Sequence, residues 1–462
     1  MPISLPVSLI DRDWPDFGVP RLPPAPTRAE LAARMSLIRQ AMDAAGLSAL
    51  AIYGDREHAA NLLWASGFDP RFEEALMIVR MEGAPLLLAG NECLPYTQAS
   101  PAVASGDIEA VLCASFSLLS QPRGGDGIAA LIDRALPAGG RIGTVGWKYW
   151  MAEEVGDPEH ALEIPSLLAD LLRGRADEVV NATALCMHPG TGLRSVVTVD
   201  EIARLEFANH MAAAALRRMA FALREGMTDF AAVEAAGIGG LPLSCHVTFA
   251  TGVRPHGLSG PTGERIERGR MLSFNVGHWG ANICRAGWLA EGPDDLPEAA
   301  RDYLDAFVGP YLRAMADWCG LMRPGVPGGE VQAAMDHALA GFGVTLNPGH
   351  LIGTDEWISS PIFPGSELPI RSGMAMQMDV IPDHPVFGST RMEDGYVIAD
   401  ASLRAALEDR HPGVAARIAL RRSFLGDVTG FDLPESLLPL ADTCGVVAPF
   451  LLAPRKLAVL TA

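Results

Sequence analysis

The chain has 462 residues, of which 49% are hydrophobic and 20% charged, and it carries a net charge of −19. That length provides for two or three domains with full cores, while the charge opposes binding to nucleic acid or anionic lipid. No apolar run reaches the roughly 18–20 residues that a membrane helix needs.

The seven cysteines are widely spread and include no C-x-x-C pair, which argues against a disulfide framework or a structural zinc site. The first 26 residues are proline-rich and lack a basic-then-apolar-then-small leader pattern, so an irregular arm and a cytoplasmic protein are expected. From Thr27, apolar residues at Leu31, Met35, Ile38 and Met42 have helical spacing and stop at Gly46. A buried strand is expected over 47–54, with further strands at 75–79, 85–88 and 141–145 and a helix over 127–136. This alternation predicts an α/β domain over 27–182.

A second unit, 183–400, is expected to open its main helix at Thr198. Thr198 and Glu201 have the spacing of a capping box, and Ile202, Leu205, Ala212, Leu216, Met219 and Leu223 line one side. Strands are expected over 244–249, 271–276, 375–381 and 396–398, with helices around 299–319 and 329–342 between them. The recurrence of helices followed by β pairs hints at an internal repeat. Residues 401–462 begin helically, end in apolar sequence with prolines, and are expected to pack on the main body as an extension.

Polar and ionisable residues in the second unit concentrate in apolar, strand-like settings. They are His256 after Pro255, Asn275 in 273–277, His350 between Gly349 and Gly353, Asp379 after Met378, and Arg391, Glu393 and Asp394. A carboxylate in a run such as AMQMDVIP is costly to bury alone, so Asp379 requires a cation, a protonated neighbour or water.

The order and spacing of these segments resemble the creatinase/aminopeptidase P, or pita-bread, superfamily over about 198–400. Arg323-Pro-Gly-Val-Pro-Gly-Gly-Glu330 also resembles that family's helix punctuation. The resemblance implies an α+β pita-bread catalytic domain preceded by an α/β creatinase-type domain. The family's metallopeptidases bind two metals with Asp, Asp, His, Glu and Glu. Here the two aspartates fall on Asn275 and Ala286, the His on His350, the first Glu on Asp379 and the last on Glu393. His256 matches the substrate-side histidine, and Trp357 stands where a second His is usual. Asn is a poor ligand beside a carboxylate and Ala is none, so a site without metal or other cofactor is expected, as in creatinase. That enzyme resembles the chain in carrying Asn and Ala at these points.

The resemblance further implies a homodimer and a role for Arg71 in capturing a substrate carboxylate, which guanidinium does well. The competing reading of Arg71 is a surface pair with Glu73 or Glu74. Trp288 replaces creatinase's own glutamate, so the substrate is not carried over.

Three functions follow. The first is a metal-independent hydrolase of a C–N bond in a small guanidino, ureido or amide compound. His256 would be its acid–base group, Asp379 and Glu393 would hold the cationic nitrogen and orient water, and His350 would polarise the reacting centre. Arg71, Asn275, Trp357 and Arg391 would contact substrate. The second is an Xaa-Pro-type peptidase with one metal on His350, Asp379 and Glu393. The third is a non-catalytic binding protein that keeps the pocket.

Overall fold

The computed structural model describes residues 6–136, 138–252, 258–344 and 348–461. The chain divides into two compact units, one of residues 24–194 and one joining 1–23 to 195–462. No helix of the described residues is long and apolar enough to cross a membrane. All seven cysteines are free.

The unit of residues 24–194 is built on a six-stranded mixed sheet. Its order is Glu109–Leu112, Leu86–Ala89, Ala75–Arg80, Ala49–Gly54, Arg141–Val145 and Glu178–Asn181. The helix Arg28–Ala44 begins at a full capping box between Thr27 and Glu30, and buries Leu31, Met35, Ile38 and Met42 as the spacing required. The strands Glu109–Leu112 and Glu178–Asn181, absent from the sequence reading, close the two edges.

The other unit draws on both ends of the chain. Residues 6–23 are not an irregular arm throughout: Val7–Asp11 forms an antiparallel pair with Lys456–Leu460. The helix Val199–Ala222 is capped by Thr198 and Glu201 as read, but stops before Leu223. Its buried Glu206 pairs with Arg417 at 2.7 Å and Arg421 at 2.8 Å, and so fastens the helix Pro412–Phe424.

The central sheet contains seven strands: β1 Phe249–Gly252, β2 Met271–His278, β3 Ala281–Trp288, β4 His350–Leu351, β5 Ala375–Met378, β6 Arg391–Ile398 and β7 Leu437–Pro439. Every pairing is antiparallel, in the order β4-β5-β6-β3-β2-β1, with β7 added to β6. The order reveals two matching halves. Helices Val199–Ala222 and Asp229–Ala235 precede β1, β2 and β3; helices Gly309–Leu321 and Gly328–Ala338 precede β4, β5 and β6. The halves meet at the β3–β6 pair.

Register fixes which side chains share a face, because side chains alternate along a strand. Asn275, Cys284 and Glu393 stand opposite one another across β2, β3 and β6, and so do Ser273, Ala286 and Arg391. The hairpin between β2 and β3 turns at Trp279-Gly280, where Gly280 takes φ +93°, a conformation costly for other residues. The opposite face carries Arg285, whose guanidinium meets Asp394 at 2.7 Å and the carbonyls of Thr443 and Val446 at 2.6 and 2.7 Å.

Candidate active site

The site is assembled from five strands, β2 to β6, and one loop. Asn282 of β3 donates through Nδ2 to Glu393 Oε1 at 2.9 Å, and Asn275 of β2 donates to Asn282 Oδ1 at 2.8 Å. Asn275 Oδ1 accepts from the Thr248 backbone N–H at 2.7 Å. Gln377 of β5 donates to the Asn282 carbonyl and, at 3.4 Å, to Glu393 Oε1. Amides therefore grip one oxygen of Glu393 and fix the carboxylate.

His350 pairs in register with Gln377 and is fully buried. Gly349 before it takes φ +131°, and a Cβ there would lie 3.1 Å from the Gln377 carbonyl. His350 Nδ1 is 3.2 Å from the Leu351 carbonyl, which places the proton on Nδ1 and leaves Nε2 as the acceptor. Nε2 has no hydrogen-bond partner and faces Glu356 Oε1 at 3.5 Å. Burial lowers the His350 pKa to about 4, so the imidazole is neutral. Trp357 stacks on it with centroids 4.0 Å apart and planes 17° from parallel.

Asp379 lies just past the end of β5, not inside a strand reaching 381 as the sequence suggested. It is buried and its Oδ1 has no hydrogen-bond partner. Burial raises its pKa to about 6, opposed by the positive charge of Arg391. Burial, and then the charge of Asp379, raises Glu356 to about 7. Burial followed by the Asp379 charge also lifts Glu393 well above the usual carboxylate range. Arg391 donates to Ser273 Oγ at 3.2 Å and Cys284 Sγ at 3.3 Å.

Of the residues singled out in the sequence, His350, Asp379, Glu393, Asn275, Trp357 and Arg391 come together here. His256 lies outside the described residues. Arg71 belongs to the unit of residues 24–194. Its Nη2 donates to Tyr96 Oη at 2.6 Å and its Nε pairs with Asp69 at 3.3 Å. The surface pairs with Glu73 and Glu74 do not form: Glu73 accepts from the Cys93 N–H and Glu74 from Tyr53 Oη. Asn275 is a structural amide as placed, since its oxygen and nitrogen are both spent within the protein.

The sequence reading missed Glu356, Asn282, Gln377 and Cys284. The signal for Glu356 was the acidic pair Asp355-Glu356 between Gly353 and Trp357, which reads as an ordinary solvated loop. Its carboxylate changes the ligand count. A two-metal centre does not fit, because Ala286 offers no donor and Asn275 is committed to Thr248 and Asn282. The further step to a site without any cation rested on too few carboxylates, and Glu356 supplies one more.

Three carboxyl groups holding protons in the fold, but not in the unfolded chain, make stability depend on pH. Between the unfolded pKa values near 4 and the folded values, the native state binds more protons, so stability falls as pH rises. Chelator-treated protein should therefore lose about 3 °C or more in Tm between about pH 5 and about pH 8. Glu393→Gln should flatten that slope; an unchanged slope in this variant would contradict the assignment.

Two matched halves, each a helix pair followed by three strands, closing on a polar sheet face that bears His and Glu, form a fold of the pita-bread type, shared with solved prolidases and dipeptidases. Similar solved structures include the prolidase from Pyrococcus horikoshii OT3, with TM-score 0.61 and 16% identity over 79% of this chain and 95% of that one. The Xaa-Pro dipeptidase from Bacillus anthracis gives TM-score 0.60 and 16% identity over 80% and 96%. The dipeptidase PepE from Mycobacterium ulcerans gives TM-score 0.55 and 22% identity over 80% and 94%. No protein-family model matches the sequence. No curated protein matches it either.

Proposed function

We propose that the chain is a hydrolase that cleaves a C–N bond in a small amide-type substrate. The observation that carries this reading is the convergence of His350, Glu356, Asp379 and Glu393 on one largely buried patch, in a fold shared with dipeptidases. Hydrolysis of an amide needs a group to activate water and a group to protonate the departing nitrogen. Glu393, fixed by Asn282 and Gln377, is placed to orient and activate the water. Glu356, the most exposed of the four, is placed to give a proton to the leaving amine. His350 is held neutral and cannot be the acid. Arg391 balances part of the negative charge.

Dipeptides, Xaa-Pro dipeptides included, are the first class to test, because the neighbours named above are dipeptidases and a prolidase. Ureido and guanidino acids form a second class, favoured by Asn275 and Ala286 in place of two metal-binding aspartates. The test is release of amine or ammonia from a panel of dipeptides, N-acyl, ureido and guanidino acids, with chelator and with added Mn2+ or Zn2+. We expect turnover of at least one compound, lost in His350→Ala. Turnover of none under either condition would leave a binding protein and overturn the reading.

A further inference from the structure

We infer that His350, Glu356 and Glu393 form a site for a single divalent transition-metal cation, with Glu356 as a ligand outside the family's set. One nitrogen and two carboxylate oxygens of these residues all lie within 4.8 Å of one another. A cation at their centre would be within coordinating reach of each after small side-chain adjustments, since Zn–N and Zn–O bonds run about 2.0–2.2 Å.

Independent features point the same way. His350 Nε2 is completely buried, aimed at Glu356, and has no hydrogen-bond partner. Leaving a buried acceptor unsatisfied costs about 1–3 kcal/mol, which a bound ligand would offset. The Leu351 carbonyl beside Nδ1 selects the tautomer that offers the Nε2 lone pair, and Trp357 stacking fixes the ring. Such support behind a ligating histidine is how metal sites hold their geometry. Asn282 and Gln377 play the same part for Glu393. Asp379, buried with Oδ1 unpartnered, adds negative charge against both glutamates. Against these three carboxylates stands Arg391.

The donor set identifies the class of ion. One imidazole with carboxylates suits Zn2+, Mn2+, Fe2+ or Co2+ better than Ca2+ or Mg2+, which prefer oxygen alone. Three protein ligands with an open position are the pattern of a catalytic centre, not of a closed structural one. Glu356 thus stands in for carboxylates missing at Asn275 and Ala286, from a loop instead of the strands that carry those positions. The inference deepens the hydrolase reading by naming the group that would help activate water. Its test measures binding and not turnover, so either can fail alone.

The experiment is calorimetric titration of chelator-treated full-length protein with Mn2+ and Zn2+. We expect one ion per chain, and an affinity at least about 100-fold weaker in Glu356→Gln. A second readout works without a glutamate variant: Co2+ should quench tryptophan emission, and most of that quenching should vanish in Trp357→Phe, which keeps a ring against His350. Two ions per chain, undiminished binding in Glu356→Gln, or no saturation by about 1 mM would each overturn the proposal. Quenching that persists in full in Trp357→Phe would place the ion elsewhere and overturn it as well.

Discussion

Replacing Glu393 by glutamine lowers kcat/KM for any substrate found in the C–N panel by about 10²–10⁴-fold, the range expected for loss of a positioned acid–base group. Glutamine has nearly the same shape and keeps an oxygen to accept from Asn282 Nδ2, so the 2.9 Å contact can survive. What disappears is the ionisable carboxyl oxygen beside Asp379 and Glu356. Because the change removes the group proposed to act on the reacting water, the fall should appear mainly in kcat with KM little altered. Circular dichroism and Tm separate this outcome from misfolding; the variant should be at least as stable as the parent near neutral pH, since it deletes a buried carboxyl that resists ionisation. A kcat/KM within about threefold of the parent would remove Glu393 from the reaction.

Arg285→Met costs about 3–5 kcal/mol of unfolding free energy, the usual penalty for stripping one partner from a buried ion pair. Arg285 is 2% exposed and its partner Asp394 is fully buried. The guanidinium also donates to the carbonyls of Cys284, Glu393, Thr443 and Val446. Methionine matches the length of the stem but leaves Asp394 with only the Thr443 hydroxyl, 2.7 Å away. Urea denaturation measures the loss, and Arg285→Met with Asp394→Leu should recover part of it by removing the orphaned carboxylate. A cost below about 1 kcal/mol for the single variant would show that the pair contributes little. The same variant should weaken the site, because Cys284 and Glu393 on either side of this network share its backbone contacts.

The elements that could be read from sequence were those whose local signals and tertiary roles agree. Thr27 with Glu30 and Thr198 with Glu201 mark helix starts that the structure uses as such. The strand β2 was legible because Leu272, Phe274 and Val276 give it an apolar face. Its partner β3, at the centre of the sheet, was not. Its sequence ANICRAGW mixes Asn282, Arg285 and Gly287 with small apolar residues and has no clean alternation. Each polar side chain there is satisfied from another strand, Asn282 by Asn275 and Glu393, and Arg285 by Asp394. Such pairing cannot be inferred from propensity, because burial of these groups becomes affordable only once the partner strand is in place.

The site was legible to the same extent. His350, Asp379 and Glu393 stood out because ionisable residues in apolar runs demand an explanation, and spacing tied them together. Glu356 did not, since an acid in a loop needs no explanation until the loop is seen to fold back over His350. Asn275 stood out as a polar residue in an apolar strand, and its amide braces Asn282 and the Thr248 backbone.

The pairing of Val7–Asp11 with Lys456–Leu460 has a consequence for how the molecule is made. Domains generally fold as units during synthesis, the N-terminal ones first, at about 5–20 residues per second. Here residues 24–194 form a continuous unit that can fold while the rest is still being translated. The unit bearing the candidate site starts earlier in the chain but cannot be completed until Leu460 has left the ribosome. Its strand Val7–Asp11 must wait for a partner until residues 456–460 have been made. Ribosome-bound chains stopped before residue 456 should accordingly contain a protease-resistant 24–194 unit and an unfinished second unit.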